Sequence, residues 1–155
     1  MLSRKSLVVL ILALVLVLPA ATQVSAITHL QVGTGNLVTL QYNPGDQNFY
    51  RVRMNGKVDT SPFKPSSQTF ILMDIDWYFT GGTAGYTYPL TLSIVPSTGS
   101  PTDIFIGQGL ANADGNGVAN IHLTSGLTVG SGRFVGVTLP VGVTTVTLYL
   151  HGYVA

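Results

Sequence analysis

Beyond residue 26, apolar residues recur at every second position and nowhere keep the 3.6-residue spacing of a helix. That period constrains the fold most, because alternate side chains of an extended chain point to opposite faces. Tyr88, Leu90, Leu92 and Ile94 form one such stripe. Val146, Leu148, Leu150 and Val154 form another, with Thr145, Thr147, Tyr149, His151 and Tyr153 on the opposite face. The stripes are separated by turn chemistry: NPGD from Asn43, Asn55-Gly56, TGGTAG from Thr80, PSTGSP from Pro96, NADGNG from Asn112 and GSG from Gly130. Pro44 and Gly45 stand at the two central positions of a type II turn.

Strands are expected over Thr28–Val32, Leu37–Tyr42, Phe49–Met54, Gln68–Thr80, Tyr88–Ile94, Ile104–Gln108, Ala119–Leu123, Val135–Leu139 and Val143–Val154. Eight to ten short strands in one domain read as all-β, a single antiparallel β-sandwich of jelly-roll type. A membrane β-barrel is the rival for an exported all-β chain, but the strands carry no aromatic girdles.

The first 26 residues read differently. Arg4 and Lys5 precede an unbroken apolar run, Leu7–Leu18, then Pro19 and the small-residue site Val24-Ser25-Ala26. This is the three-part pattern of a secretory leader, and the run is short for about 30 Å of hydrocarbon. The domain is then residues 27–155, destined for an extracytoplasmic location: secreted, periplasmic or cell-surface. It carries five basic residues against six aspartates and no glutamate. So small a charge excludes the basic footprint of a nucleic-acid binder. It also lacks a polybasic membrane patch, and no span is expected in the mature chain. There is no cysteine, so disulfides contribute nothing and packing and backbone ladders must hold the fold.

One segment looks like chemistry. In ILMDIDWYF, from Ile71, two aspartates stand two residues apart beside the only tryptophan. Strict alternation puts Ile71, Met73, Ile75, Trp77 and Phe79 on a core face. It puts Phe70, Leu72, Asp74, Asp76 and Tyr78 on the other, with the aspartate Cα atoms roughly 7 Å apart. Paired carboxylates serve glycoside hydrolysis only when their environments differ. Two on one strand face show no such asymmetry, and Arg51, Arg53 or neighbouring backbone would satisfy them. NADGNG places Asn112, Asp114 and Asn116 at alternate positions like the start of a calcium loop, but position twelve is Leu123, so a hairpin loop explains it better. His29, His122 and His151 have no partner at metal-ligand spacing. Cysteine nucleophiles, a G-x-S-x-G elbow and any cofactor motif are absent.

FILMDIDWYFTGGTAG, from Phe70, with the terminal LYLHGYVA resembles a set of small exported bacterial β-sandwich proteins. Their strand motif reads TD[VI]DW, and their last strand ends in Gly-Tyr-aliphatic. Asp74, Ile75, Asp76 and Trp77 match the first motif, and Gly152, Tyr153 and Val154 the second. Met73 stands where the pattern has threonine. The resemblance implies export and a β-sandwich, and it supplies no activity.

The functional expectation is an exported non-catalytic binding or structural protein, with a glycoside-type hydrolase using Asp74 and Asp76 as the alternative. Ligand contacts are expected from Tyr78, Tyr86, Asp74, Asp76 and His151, chiefly around the Gly81–Tyr88 loop. A carbohydrate or a cell-surface protein suits that chemistry. The intact mass of the secreted product should correspond to a chain beginning at Ile27; a product that retains Met1 refutes the leader.

Overall fold

The computed structural model describes residues 34–155. The leader, the expected strand Thr28–Val32 and His29 lie outside the described residues. A 3-10 turn, Thr34–Asn36, leads into eight strands. They are β1 Leu37–Asn43, β2 Asn48–Val52, β3 Phe70–Thr80, β4 Thr87–Val95, β5 Thr102–Leu110, β6 Gly117–Val129, β7 Phe134–Thr138 and β8 Thr145–Val154. All pair antiparallel, in two sheets ordered β2-β1-β8-β3-β6 and β5-β4-β7. The sheets pack against each other as a β-sandwich, and β1-β8-β3-β6 over β7-β4-β5 is jelly-roll pairing. Among the described residues no helix is long and apolar enough to cross a membrane.

The core follows the period-two stripes. Leu40 of β1, Leu90 and Leu92 of β4, and Leu148 and Leu150 of β8 are fully buried, as are Trp77 and Phe79 of β3. Trp77 and Phe79 lie 5.2 Å apart between ring centroids, and Tyr88 meets Phe79 edge-on at 5.1 Å. Room for these rings comes from glycine in the facing strand: a Cβ on Gly109 would come within 2.7 Å of Phe79 and 3.0 Å of Trp77. The indole N–H of Trp77 is buried without an acceptor. Pro89 is tolerated inside β4 because β7 joins β4 only from Thr91 onward.

Strict alternation along β3 fails at one residue. Leu72 pairs with Gly152 and Asp74 with the adjacent His151, so Met73 is an extra residue, a β-bulge. The bulge changes the parity of the strand. Phe70 and Leu72, expected outward, are buried; Ile71 and Met73, expected inward, are not. Beyond the bulge Ile75, Trp77 and Phe79 point into the core, and Asp74, Asp76 and Tyr78 point out, as expected. Gly152 sits opposite the bulge, where a Cβ would run into the Ile71 backbone and, at 2.9 Å, the Phe70 ring. Gly126 of β6 turns the same corner at φ +67°.

The β1–β2 connection also departs from expectation. Gly45 does not take the positive φ of a type II turn; Gln47 does, at 59°. The loop closes through the Gln47 N–H to Asn43 O at 2.9 Å. The Asn43 side chain accepts the Gly45 N–H at 3.0 Å. Asn55-Gly56 does turn the chain, with Arg53 N–H bonded to Lys57 O at 2.8 Å. Only the single bridge Val52–Val58 follows it, so no further strand forms before β3.

Three outcomes test the packing. Trp77→Ala should cost about 3–5 kcal/mol by denaturant unfolding, as an aromatic truncation in the core. Gly109→Ala should cost about 1–3 kcal/mol by overpacking the same rings. Trp77→Phe should cost less than Trp77→Ala, because it also removes a buried donor without a partner.

The turn gives a titration test. The Tyr50 hydroxyl donates to the Asp46 carboxylate, which holds that carboxyl below its ordinary value and raises the phenol. A depressed carboxyl contributes stability above its unfolded pKa, and this is lost as pH falls through the folded value. Tyr50→Phe should move the Asp46 carboxyl titration upward in carbon NMR. An unmoved titration refutes the pairing.

Candidate functional site

The register of the five-stranded sheet decides which outward side chains meet. Asp74 lies between His122 of β6 and His151 of β8, and His151 is followed across the sheet by Thr39 of β1. In the next row Asp76 lies between Asn120 and Tyr149, with Gln41 and Tyr50 beyond. Tyr78 lies between Val118 and Thr147 in the row after that. Three adjacent strands thus place two carboxylates, two imidazoles, an amide and two phenols on one surface.

The central polar groups bond one another along the sheet. The Thr39 hydroxyl is 3.1 Å from His151 Nδ1, and His151 Nε2 is 3.1 Å from Asp76 Oδ2. An Nε2–H tautomer satisfies both contacts: Nδ1 accepts from threonine and Nε2–H donates to the carboxylate. Asp76 Oδ1 accepts from Asn120 Nδ2 at 2.8 Å, which completes a chain of four residues from four strands. Asp74 forms a separate pair with His122 Nδ1 at 2.5 Å. The Tyr149 ring stacks on His151 with centroids 6.4 Å apart. A shallow cleft of about 300 Å³ lies over β1, β8 and the bulge, lined in part by Thr39, Asp74, His151 and Tyr153.

Asp74 and Asp76 are thus held by histidine and asparagine, and neither expected arginine reaches them. Arg53 pairs with Asp59 at 2.5 Å, which raises the Arg53 pKa. Arg51, opposite Leu40 in the edge strand, donates to the carbonyls of Gly35 and Leu37. The two aspartate side chains are 44% and 45% exposed, so burial does not separate them into an acid and a base.

Of the expected ligand contacts, Asp74, Asp76, Tyr78 and His151 share this surface, and Tyr86 stands apart. The Gly81–Tyr88 loop is mainly a packing device. Tyr88 is buried and its hydroxyl accepts the Thr83 N–H at 2.6 Å. Gly82 N–H bonds Gly115 O at 2.8 Å, and Ala111 N–H bonds Tyr86 O at 2.9 Å, so this loop is tied to the next one. Tyr86 is the one aromatic side chain of this loop that projects, 65% exposed. In NADGNG, Asn112 Oδ1 accepts the Asp114 and Asn116 N–H groups, each at 2.9 Å, so that oxygen closes a turn. Among the described residues no group of three or more histidine or carboxylate side chains is placed to hold a metal ion.

Thr39, Asn120, His122 and Tyr149 are members of the surface that spacing alone did not select. Alternation marks Asn120, His122 and Tyr149 as outward-facing. What it lacks is the strand order, which makes β3 the neighbour of both β6 and β8. In comparisons with known proteins, no family model matches this sequence and no curated protein matches it.

Proposed function

We propose that this chain is an exported, non-catalytic binding or structural domain whose working surface is the outer face of the five-stranded sheet. The observation that carries this reading is the closed hydrogen-bond row Thr39–His151–Asp76–Asn120, set beside Tyr149 and Tyr78. Tyrosine offers a flat apolar body with a polar tip, the composition of contact surfaces. The leader at the N-terminus supports an extracytoplasmic location and near-neutral charge argues against nucleic acid. A cell-surface protein or a carbohydrate fits such a face.

One observation favours a second reading, a secreted hydrolase. Thr39, His151 and Asp76 form a hydroxyl–imidazole–carboxylate series beside a cleft. Two features weigh against it. Acyl transfer needs N–H donors aimed at a developing oxyanion, but β1, β8 and β3 are interior strands whose N–H groups, outside the Met73 bulge, face ladders on both sides. Glycoside cleavage needs two carboxyls in unlike environments, and Asp74 and Asp76 share one.

A glycan and surface-protein binding array, run beside an ester, peptide and glycoside hydrolysis panel, tests both. No turnover above background is expected. Any partner retained should be lost in Tyr149→Ala, with circular dichroism unchanged, and kept in Tyr86→Ala. Turnover abolished by His151→Ala or Asp76→Asn would overturn the proposal in favour of the hydrolase.

A further inference from the structure

We propose that Asn55-Gly56 is a self-modification site. In the folded protein Asn55 converts to aspartate and isoaspartate through a cyclic imide, and this loosens the segment that covers the free edge of β2. Asn-Gly suits this chemistry because glycine has no Cβ to hinder ring closure. The chain holds the dipeptide twice, at Asn55 and at Asn116, with the related Asp-Gly at Asp114. The sequence ranks the two Asn-Gly pairs together, and their surroundings separate them.

The second pair is held on every side. The Asn116 N–H bonds Asn112 Oδ1 at 2.9 Å, and its carbonyl accepts the Asn112 N–H at 2.8 Å. Gly117 is buried opposite Phe79 at the start of the β3–β6 ladder, where a Cβ would enter the Phe79 ring. Gly115, after Asp114, is buried too, and its carbonyl accepts the Gly82 N–H at 2.8 Å. Ring closure has to rotate the peptide plane that follows the side chain. At both places that plane is built into packed structure.

The first pair stands free. Met54, Asn55 and Gly56 are all exposed, and nothing lies within 4 Å of the position a Gly56 Cβ would take. The Gly56 nitrogen is the nucleophile, and its N–H bonds Arg53 O at 2.8 Å. That bond must open first, and a solvated hairpin tip opens at a small fraction of the global unfolding free energy. Asn55 Oδ1 already accepts the Lys57 N–H at 3.1 Å. Negative charge develops on this oxygen as Cγ becomes tetrahedral, so a backbone donor stands where the transition state needs one.

The step balances without an oxidant or a reductant. The Gly56 nitrogen loses its proton to solvent base and bonds to Asn55 Cγ. The Cγ–Nδ2 bond breaks, Nδ2 takes up a proton, and ammonia leaves. Water then opens the imide. Cleavage of the bond from the nitrogen to Cγ gives aspartate. Cleavage of the bond from the nitrogen to the former main-chain carbonyl carbon gives isoaspartate, whose main chain is longer by a methylene.

The place of the turn gives the reaction a consequence. Residues after Asn55 cover the outer edge of β2 through the Val52–Val58 bridge, the Asp59 N–H to Arg51 O at 2.9 Å and the Phe63 N–H to Phe49 O at 2.7 Å. The Arg53 N–H to Lys57 O bond, 2.8 Å, anchors that cover across the turn. A methylene added between its two ends pulls this anchor apart and frees strand edge.

Ageing the folded, secreted protein in mildly alkaline buffer made with heavy-oxygen water tests the proposal. Acid-protease peptides are read by mass spectrometry. The Asn55 peptide should take up label at least about tenfold faster than the Asn116 peptide, and in denaturant the two rates should converge. The Asn55 rate should rise with pH, because the attacking amide must lose its proton. Asn55→Gln should abolish the conversion at this position, with far-UV circular dichroism unchanged. Amide exchange at Asp59 and Phe63 should quicken in aged wild type and not in aged Asn55→Gln. The site is refuted if Asn116 keeps pace with Asn55 in the folded protein, or if Asn55 survives there while both convert in denaturant. Exchange at Asp59 that ageing leaves unchanged refutes the loosening of the edge.

Discussion

The bulge at Met73 is the constraint on which the arrangement of the five-stranded sheet depends. Without it, Phe70 and Leu72 could not share the interior with Ile75, Trp77 and Phe79, because five residues of mixed parity would fall on both faces. Inserting one residue lets β3 bury both halves of its length while its Asp74–Tyr78 half presents Asp74, Asp76 and Tyr78 to the outside. The partners then adapt. β8 places Gly152 opposite the bulge, because any Cβ would meet the Ile71 backbone. β6 turns with Gly126 in the left-handed region against Ile71 and Met73. Two residues further along β8, Val154 registers with Phe70 and closes the core.

Seen this way, the Asp-Ile-Asp-Trp and Gly-Tyr-Val motifs are two halves of one packing unit. Trp77 fills the interior, Gly152 admits the bulge, and the residues between them set the register that brings His151 beside Asp76. The motif aspartates owe their position to that register.

The sandwich was legible in the sequence because its strands are buried on one face, and a half-buried strand shows its period. β4 and β8 illustrate this: their stripes Tyr88–Leu90–Leu92 and Leu148–Leu150 are buried as alternation requires. The bulge was not legible for the same physical reason. From Phe70 to Met73 all four residues are apolar, so alternation carries no information where the parity slips. Nor does period-two patterning show that Gly109 leaves room for the Trp77 and Phe79 rings of the opposite sheet, or Gly107 for the Phe105 ring of its own strand. The outward surface was half legible. Each strand advertised its own outward residues, but the Thr39–His151–Asp76–Asn120 row joins strands far apart in the chain, and period-two patterning does not encode strand order.

That row also bears on what kind of function the surface can have. A catalytic hydroxyl–imidazole–carboxylate series works because one end is free to attack and because nearby donors wait for charge to develop. In this sheet the series continues past Asp76 into Asn120, and the surrounding backbone, outside the Met73 bulge, is paired in ladders. The groups are therefore arranged to satisfy one another in the ground state, which lowers the cost of removing water from above them.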